Sequence, residues 1–146
     1  MEHLYSFSGR MSRKPWWLVF VAAIIAGIAG TIVLQPELLT SFEKPPKPTL
    51  AVTLLNLVLF VPLAAITFRR CNDRDWPTWV PALACAVSLP FYIGPSFGVL
   101  MDPLEGQTWE MIFFGLAIVV GLALFVDNGF LRGTPGPNTH GPDPLA

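Results

Sequence analysis

Four long apolar runs separated by short polar stretches set the pattern of this chain. A helix needs about 20 predominantly apolar residues to cross the hydrocarbon core of a bilayer, and each run comes close to or exceeds that length. The third run contains Pro81, Pro90 and Pro95, so it predicts either one kinked helix or a helix broken near residues 92–95. The predicted transmembrane helices cover residues 16–34, 50–68, 77–101 and 109–126.

The polar stretches indicate where these helices begin and end. Ser12 is a candidate N-cap of the first helix, and Pro15 is tolerated in a first turn because its missing N–H needs no helical partner. Trp16 and Trp17 follow at the position of an interfacial aromatic belt. Prolines in residues 35–49 forbid a continuous helix there. Residues 127–146 are rich in Gly and Pro and predict a polar tail made of turns.

The Lys and Arg residues are unequally distributed between the two sides that four spans create. One side carries seven of the nine, namely Arg10, Arg13, Lys14, Arg69, Arg70, Arg74 and Arg132. The opposite side carries only Lys44 and Lys47. Since positive loops stay in the cytoplasm during insertion, both termini and the central loop are predicted to be cytoplasmic. The predicted fold is therefore an all-α membrane bundle of four transmembrane helices, formed by residues 1–146 as a single domain.

Composition supports a membrane protein and offers little for catalysis. The chain is 53% hydrophobic and 13% charged, whereas soluble domains carry about 25% charged residues. Its basic residues form no patch large enough for nucleic acid. The two histidines, His3 and His140, lie in the terminal segments, and no nucleophile, metal or phosphate-binding motif is present. We therefore expect no enzyme activity, no cofactor and no bound metal.

The densest charge cluster, Arg69–Trp76, is the main candidate for a site. It follows the second span and is predicted to face the same side as both terminal segments. One interpretation is a polar site for an anionic head group or a small ligand, and the other is topology determination with phospholipid contact, which we favour. The candidate residues of this cytoplasmic cluster are Arg10, Arg13, Arg69, Arg70, Asp73, Arg74, Asn138 and Asp143.

Inside the membrane, away from the ends of the spans, charged residues are absent and Asn56 is the main polar candidate. Proton and ion pathways generally use buried ionisable groups, so their absence argues against an autonomous pump. Asn56 would either line a substrate path or, as we favour, form a hydrogen bond with a neighbouring helix. Small-residue spacings such as Ala23/Gly27 and Ala26/Gly30 allow close helix approach within the bundle or between protomers.

Three segments together carry a family resemblance. They are Phe7–Trp17, Arg69–Asp73 and Arg132–Pro144. They resemble the F-x-G-R-x-S-R-x-x-Y/W-W opening, the R-R-L-H-D loop and the G-x-x-G-x-N-x-Y/F-G-x-D-P ending of the bacterial inner-membrane proteins catalogued as domain of unknown function 805. The resemblance covers essentially the whole chain and implies a multi-span inner-membrane protein of unsettled function. It also implies that the three polar motifs meet on the cytoplasmic face.

The chain departs from that family pattern at three places. Cys71 and Asn72 stand where Leu and His are usual, which removes the residue of this loop best suited to chemistry. Pro15 replaces a frequent Glu that would complete a capping box with Ser12. His140 replaces a frequent aromatic residue.

Three functional hypotheses follow. The leading one is a non-catalytic scaffold or binding module whose cytoplasmic face recognises a protein or anionic membrane lipid, with a homo-oligomer as an open alternative. The second is a component of a small-molecule transporter or channel, which requires a polar cavity near Asn56. The third is a membrane-lipid enzyme with Asp73 and Asp75 as its acids.

Overall fold

The computed structural model describes residues 5–41, 46–100 and 106–146. Within these ranges the elements are five α-helices and one 3₁₀ turn: α1 (Arg13–Leu34), α2 (Glu37–Thr40), α3 (Leu50–Asp73), α4 (Trp79–Ile93), the 3₁₀ turn Gly94–Phe97, and α5 (Thr108–Phe130). Helices α1, α3 and α5, together with α4 and its 3₁₀ turn, are long and apolar enough to cross a membrane. The predicted all-α fold with four spanning helices is therefore confirmed. Which end of the bundle faces the cytoplasm stays a prediction.

Two helices extend into stretches that the apolar pattern assigned to polar connections. Helix α3 continues to Asp73 and α5 to Phe130, so most of the charge cluster lies on helical turns. Helix α1 begins at Arg13 with Ser12 at the N-cap position, as predicted, although the Ser12 hydroxyl makes no capping hydrogen bond. The polar residues on these extensions are buried together at one end of the bundle, which we call the polar end.

The third span is broken where its prolines predict. Helix α4 ends at Ile93 and continues as the 3₁₀ turn, after which Gly98 takes the left-handed conformation at φ 78°. Pro95 has no N–H to donate to the carbonyl four residues earlier, so the α-helical ladder cannot continue through it. The 15 residues of α4 rise about 22 Å and the four-residue turn about 8 Å, and together they still match the roughly 30 Å hydrocarbon core.

Helix α1 packs most extensively on α3. Its small residues lie at this contact: Ala23 is buried, and a Cβ added to Gly27 would lie 3.6 Å from Leu59 Cδ1. At Gly30 an added Cβ would collide with the Leu55 side chain. The small-residue spacing thus allows close approach within the bundle. Helix α3 also packs on α4, and α5 contacts the other three spanning helices.

The bundle exposes large apolar side chains over most of its lateral surface. Those on α1 include Leu18, Val21, Ile25 and Val33. Such a surface is suited to lipid, where apolar side chains need no burial in protein. Trp16 faces the interior of the bundle and not the lipid, because the residue is only 3% exposed and its ring stacks on Phe20 with the ring centroids 4.9 Å apart.

At the end of the bundle opposite the polar end, two side chains form hydrogen bonds with backbone groups of neighbouring segments. Gln35 donates to Lys47 O at 3.0 Å and accepts from Thr49 N at 2.7 Å, which fastens the start of α3 to the end of α1. Glu110 forms the capping box of α5 with Gln107 and also accepts from Leu100 N at 2.7 Å. These contacts hold the two hairpins at that end.

We predict that Gly30→Leu destabilises the bundle by about 1–3 kcal/mol, because the new side chain must displace Leu55 from the α1–α3 contact. The measurement is the free energy of unfolding in mixed detergent micelles. Ala29→Leu, at the neighbouring exposed position, is the matched control and should stay near the wild type. Equal destabilisation by both variants would contradict this account of the packing.

Candidate functional site

Three distant segments of the chain meet at the polar end. They are the residues before α1, the last turns of α3 with the connection that follows, and the end of α5 with the C-terminal tail. We call the resulting cluster the polar cap, and its members are Arg10, Arg70, Asn72, Asp73, Arg74, Asp127, Asn128, Thr134 and Asn138.

The Asp73 carboxylate lies at the centre of the polar cap. Its Oδ1 accepts from Arg10 Nε at 2.9 Å, and its Oδ2 accepts from Arg70 Nη1. Arg70 is 0% exposed and Asp73 3%, so both are removed from water. A buried ion stays in a fold only when it is paired and hydrogen-bonded, because its desolvation costs several kcal/mol. Both carboxylate oxygens of Asp73 are therefore occupied by hydrogen bonds that hold the fold together.

Arg10 joins this ion pair to the C-terminal tail. Its Nη1 donates to Gly136 O at 2.6 Å and to Gly141 O at 3.3 Å, and its Nη2 donates to Thr134 O at 2.6 Å. A guanidinium carries five N–H donors in a fixed planar fork. The tail folds around that fork and directs its own carbonyls towards it.

The C-terminal end of α5 is satisfied by side chains of other helices. Arg70 Nε donates to Asn128 O at 2.7 Å, and its Nη2 donates to Leu131 O. Trp17 Nε1 donates to Gly129 O at 3.0 Å, and Arg13 Nη1 donates to Phe130 O at 3.1 Å. The last four carbonyls of a helix have no partner within the helix, and they carry its partial negative charge. Side chains of α1 and α3 donate the hydrogen bonds that these carbonyls cannot receive within α5, and two of those side chains are positively charged.

Close backbone approach fastens the tail to the end of α3. A Cβ added to Gly133 would lie 2.6 Å from Asp73 Cγ, a distance that no side chain can occupy. Thr134 N donates to Asp73 O at 2.9 Å, and Asn138 Nδ2 donates to Asn72 O at 2.9 Å. Gly133 is thus required for the tail to pass over the ion pair.

The N-terminal segment is held by the same turn of α3. Asn72 Nδ2 donates to Gly9 O at 3.0 Å, and Met11 N donates to Arg69 O at 3.2 Å. Arg69 Nη2 in turn donates to Arg10 O at 3.4 Å. The side-chain amide of Asn72 therefore donates a hydrogen bond to the backbone of the N-terminal segment. The family pattern has a histidine at this position.

A second ion pair lies beside the first. Arg74 Nε donates to Asp127 Oδ1 at 3.2 Å, and Arg74 Nη1 donates to Arg132 O at 2.6 Å. Asp127 Oδ2 is buried with no hydrogen-bond partner among the residues that the structure describes. Asp127 lies in the last turn of α5.

The structure brings most of the predicted site residues together. Arg10, Arg70, Asp73, Arg74 and Asn138 belong to the polar cap, while Arg13 and Arg69 bind backbone carbonyls at its edge. Asp143 lies in a turn of the tail, where it accepts from Gly136 N at 3.0 Å. Asn56 lies in the second turn of α3, half-buried and away from the polar cap at the other end of that helix.

Two parts of the prediction need revision. Phospholipid contact by Arg70 is excluded because its side chain is fully buried, and Arg10 is only 7% exposed. Sequence reasoning also missed the roles of Asn72, Asn128 and Trp17. The burial of Asn128 could have been suspected from the sequence, because it follows Asp127 at the end of a span, where polar residues need hydrogen-bond partners.

Possible metal ligands do not cluster in the described part of the chain. Within the described ranges 5–41, 46–100 and 106–146, no three His, Cys, Asp or Glu side chains lie close enough together to hold a metal ion. The thiol of Cys71 is buried and its Sγ lies 3.7 Å from Asn128 Oδ1, so it is oriented towards the interior of the polar cap.

Comparison with known proteins shows the family of this chain. The profile of a family described as "Protein of unknown function (DUF805)" matches residues 4–142. Inner membrane protein YhaI of Escherichia coli K12 is 30% identical over 98 residues, covering 63% of this chain and 77% of that protein. Inner membrane protein YhaH of the same strain is 24% identical over 80 residues, covering 54% of this chain and 63% of that protein. No solved structure matches the chain.

These relatives and the four spanning helices confirm the predicted location as a multi-pass protein of the bacterial inner membrane.

We predict that Asp73→Asn lowers the free energy of unfolding by about 3–5 kcal/mol, because it leaves two buried guanidinium groups without a counter-ion. The measurement is unfolding in mixed detergent micelles. Asp75→Asn makes the same change two residues later, at an exposed position with φ 59° that Asn tolerates, and should shift stability by less than about 0.5 kcal/mol. Similar losses in both variants would show that Asp73 is not the centre of the polar cap.

We predict that the tail turn loosens at acidic pH. Backbone N–H groups of Leu145 and Gly136 lower the pKa of Asp143 below its ordinary value of 3.8. A lowered folded pKa means that the stabilisation is present above the ordinary value and is lost as pH falls through the lowered one. Amide NMR signals of Gly136 and Leu145 should therefore move towards unstructured positions below about pH 3.8. In Asp143→Asn they should show no such step; a step that persists would assign it to another group.

Proposed function

The chain belongs to the DUF805 family of inner-membrane proteins, and from this premise we propose that it is a non-catalytic module that binds anionic phospholipid along the outer face of α1. The observation that carries the proposal is a groove in which exposed cations at the polar end continue into a row of apolar side chains. The groove is open at the lateral surface, has a volume of about 810 Å³, and is lined by Arg13, Lys14, Trp17, Leu18, Val21, Ala22, Ile25 and Gly129.

The helical register places these residues on one face of α1. Arg13, Trp17, Val21 and Ile25 are spaced by four residues, and residues four apart lie above one another on a helix. The distance from Arg13 to Ile25 along the axis is about 18 Å, slightly more than half of the roughly 30 Å hydrocarbon core. The row is thus long enough to follow one acyl chain through one leaflet.

Charge at the head of the groove suits an anionic phosphate. Arg13 and Lys14 are both exposed, in contrast to the buried Arg10 and Arg70. Long basic side chains at a helix end reach the membrane surface while their stems lie along apolar groups. Each such cation contributes about 1 kcal/mol of attraction to an anionic leaflet. The charge bias predicts this end to be cytoplasmic, the side that carries the excess of Lys and Arg.

The polar cap supports a binding role over a catalytic one. Asp73, one of the two acids considered for a lipid enzyme, has both oxygens bound by Arg10 and Arg70. Asp75 is exposed, and its Oδ1 accepts from the Thr139 hydroxyl at 2.6 Å. A general acid needs a carboxyl that can reach a substrate and release a proton, and the committed Asp73 does not supply one. The end of α5, next to the polar cap, supports the groove, because Trp17 and Arg13 both donate hydrogen bonds to its carbonyls.

The transporter alternative has less support. A cavity does exist inside the bundle, yet Asn56 is not among the residues that line it. The Asn56 side chain is half-buried and makes no hydrogen bond within the part of the chain that the structure describes. The geometry therefore does not favour a polar transport path at Asn56.

We predict that replacing both cations, Arg13→Gln with Lys14→Gln, weakens retention of anionic phospholipid by about thirtyfold, since two cations each contribute about 1 kcal/mol. The measurement is native mass spectrometry of protein from nanodiscs that contain phosphatidylglycerol and phosphatidylcholine. Lys44→Gln with Lys47→Gln removes the same charge from the predicted opposite side of the membrane, and this variant should retain anionic phospholipid as the wild type does. Arg13→Lys keeps the charge and tests whether the hydrogen bond to Phe130 O matters by itself. Equal retention in both double variants would refute the proposed groove.

A further inference from the structure

A cavity of about 210 Å³ lies between α1, α3, α4 and α5, in the interior of the bundle next to the polar cap. Asn128 of the polar cap lines its upper part. The rings of Phe60 and Tyr92, with centroids 4.9 Å apart, line its deep part. Each lies 13 residues from the polar end of its helix, about 20 Å along the axis. The cavity therefore extends from the polar cap to beyond the middle of the bundle.

The cavity opens sideways towards lipid. Gly121 of α5 lines it and is exposed, and a Cβ added there would meet no neighbouring heavy atom within 4 Å. A molecule dissolved in the bilayer can therefore enter at Gly121 without passing through the polar cap. This opening distinguishes the cavity from a sealed packing defect.

The hydrogen-bonding groups of the cavity call for an acceptor. Trp16 lines it, is 3% exposed, and its Nε1–H is buried with no hydrogen-bond partner among the described residues. The hydroxyls of Thr67 and Ser88 already donate to Leu63 O and Ala84 O, each at 2.8 Å. Buried polar groups are satisfied in nearly all native structures, and an exception calls for an explanation. An acceptor oxygen on a bound molecule would satisfy Trp16.

Size and lining set the remaining chemistry. A cavity of about 150 Å³ lined by apolar side chains stays dry and binds benzene, so this larger one accommodates a ring or a bent segment of chain. Aromatic rings of Phe60, Tyr92 and Trp16 form much of its wall. A water molecule at the same place would need two to four polar partners, which an aromatic wall supplies poorly.

We propose that this cavity binds an apolar molecule from the membrane that carries a carbonyl oxygen, and that the oxygen accepts a hydrogen bond from Trp16 Nε1. Two sources share that chemistry: the ester carbonyl of a phospholipid acyl chain and the ring carbonyl of a quinone. The site is separate from the outer groove of α1, so it can exist whether or not that groove binds lipid.

The test compares the thermal unfolding of the full-length protein in three kinds of nanodisc. The first contains ester-linked phosphatidylcholine, the second contains ether-linked phosphatidylcholine, which lacks acyl carbonyls, and the third contains ether-linked lipid with a decyl-substituted benzoquinone. Higher stability in ester than in ether lipid identifies the acyl carbonyl as the ligand. Stabilisation of the ether-lipid sample by the quinone, with a saturating dose response, identifies the ring carbonyl.

Two variants assign the effect to the cavity. Gly121→Leu fills its mouth and should abolish the carbonyl-dependent stabilisation, whereas Gly115→Leu should retain it. Gly115 lies on the same helix and is equally free of neighbours, but it does not line the cavity. Trp16→Phe keeps the ring and removes the N–H, and should weaken carbonyl binding by about two- to tenfold, the value of one neutral hydrogen bond.

Two results would overturn the proposal. One is equal unfolding temperature in all three nanodiscs, which would leave water or side-chain motion to fill the cavity. The other is a carbonyl-dependent stabilisation that Gly121→Leu and Trp16→Phe both retain in full, which would place the ligand elsewhere on the protein.

Discussion

One buried carboxylate shared by two arginines is the interaction on which the polar end of this protein depends. Asp73 neutralises Arg10 and Arg70 only in part, since two guanidinium groups face one carboxylate. The remaining positive charge is met by backbone carbonyl oxygens, which the tail supplies to Arg10 and the end of α5 supplies to Arg70. Because an uncompensated buried charge costs several kcal/mol, the ion pair, the tail and the end of α5 must form together.

This dependence explains how a tail rich in Gly and Pro is ordered. Residues 131–146 form no helix, and they have few large apolar side chains to bury. The tail gains its order from polar contacts instead: Arg10 binds its carbonyls, Asp143 binds its N–H groups, and Gly133 allows it to lie against Asp73. Separate hydrogen bonds join Trp17 and Arg13 to the end of α5, whose carbonyls also bind Arg70, so the groove and the cavity on either side of α1 both depend on this end of the bundle.

Sequence alone predicted the spans and most members of the polar cap, for separable reasons. Apolar runs of bilayer length require helices, so the four spans followed directly. The prolines of the third run indicated an interruption, but the sequence left open whether that helix is kinked or broken near Pro95. The charge bias grouped Arg10, Arg70 and Asp73 on one side. Burial was not predictable, because it depends on which carbonyls reach each guanidinium in three dimensions. The inward position of Trp16 was missed for the same reason: an aromatic residue at a span end fits a lipid interface and a packed core equally well.

The most direct test of this account is a double-mutant cycle between Arg10 and Asp73, the two residues that join the N-terminal segment to α3. The free energies of unfolding of Arg10→Gln, Asp73→Asn and the double variant are compared with the wild type in mixed micelles. A buried, mutually dependent pair predicts that the double variant is less destabilised than the sum of the single variants, by about 0.5–3 kcal/mol. Additive effects, equal to that sum within about 0.5 kcal/mol, would contradict a shared ion pair at the centre of the polar cap.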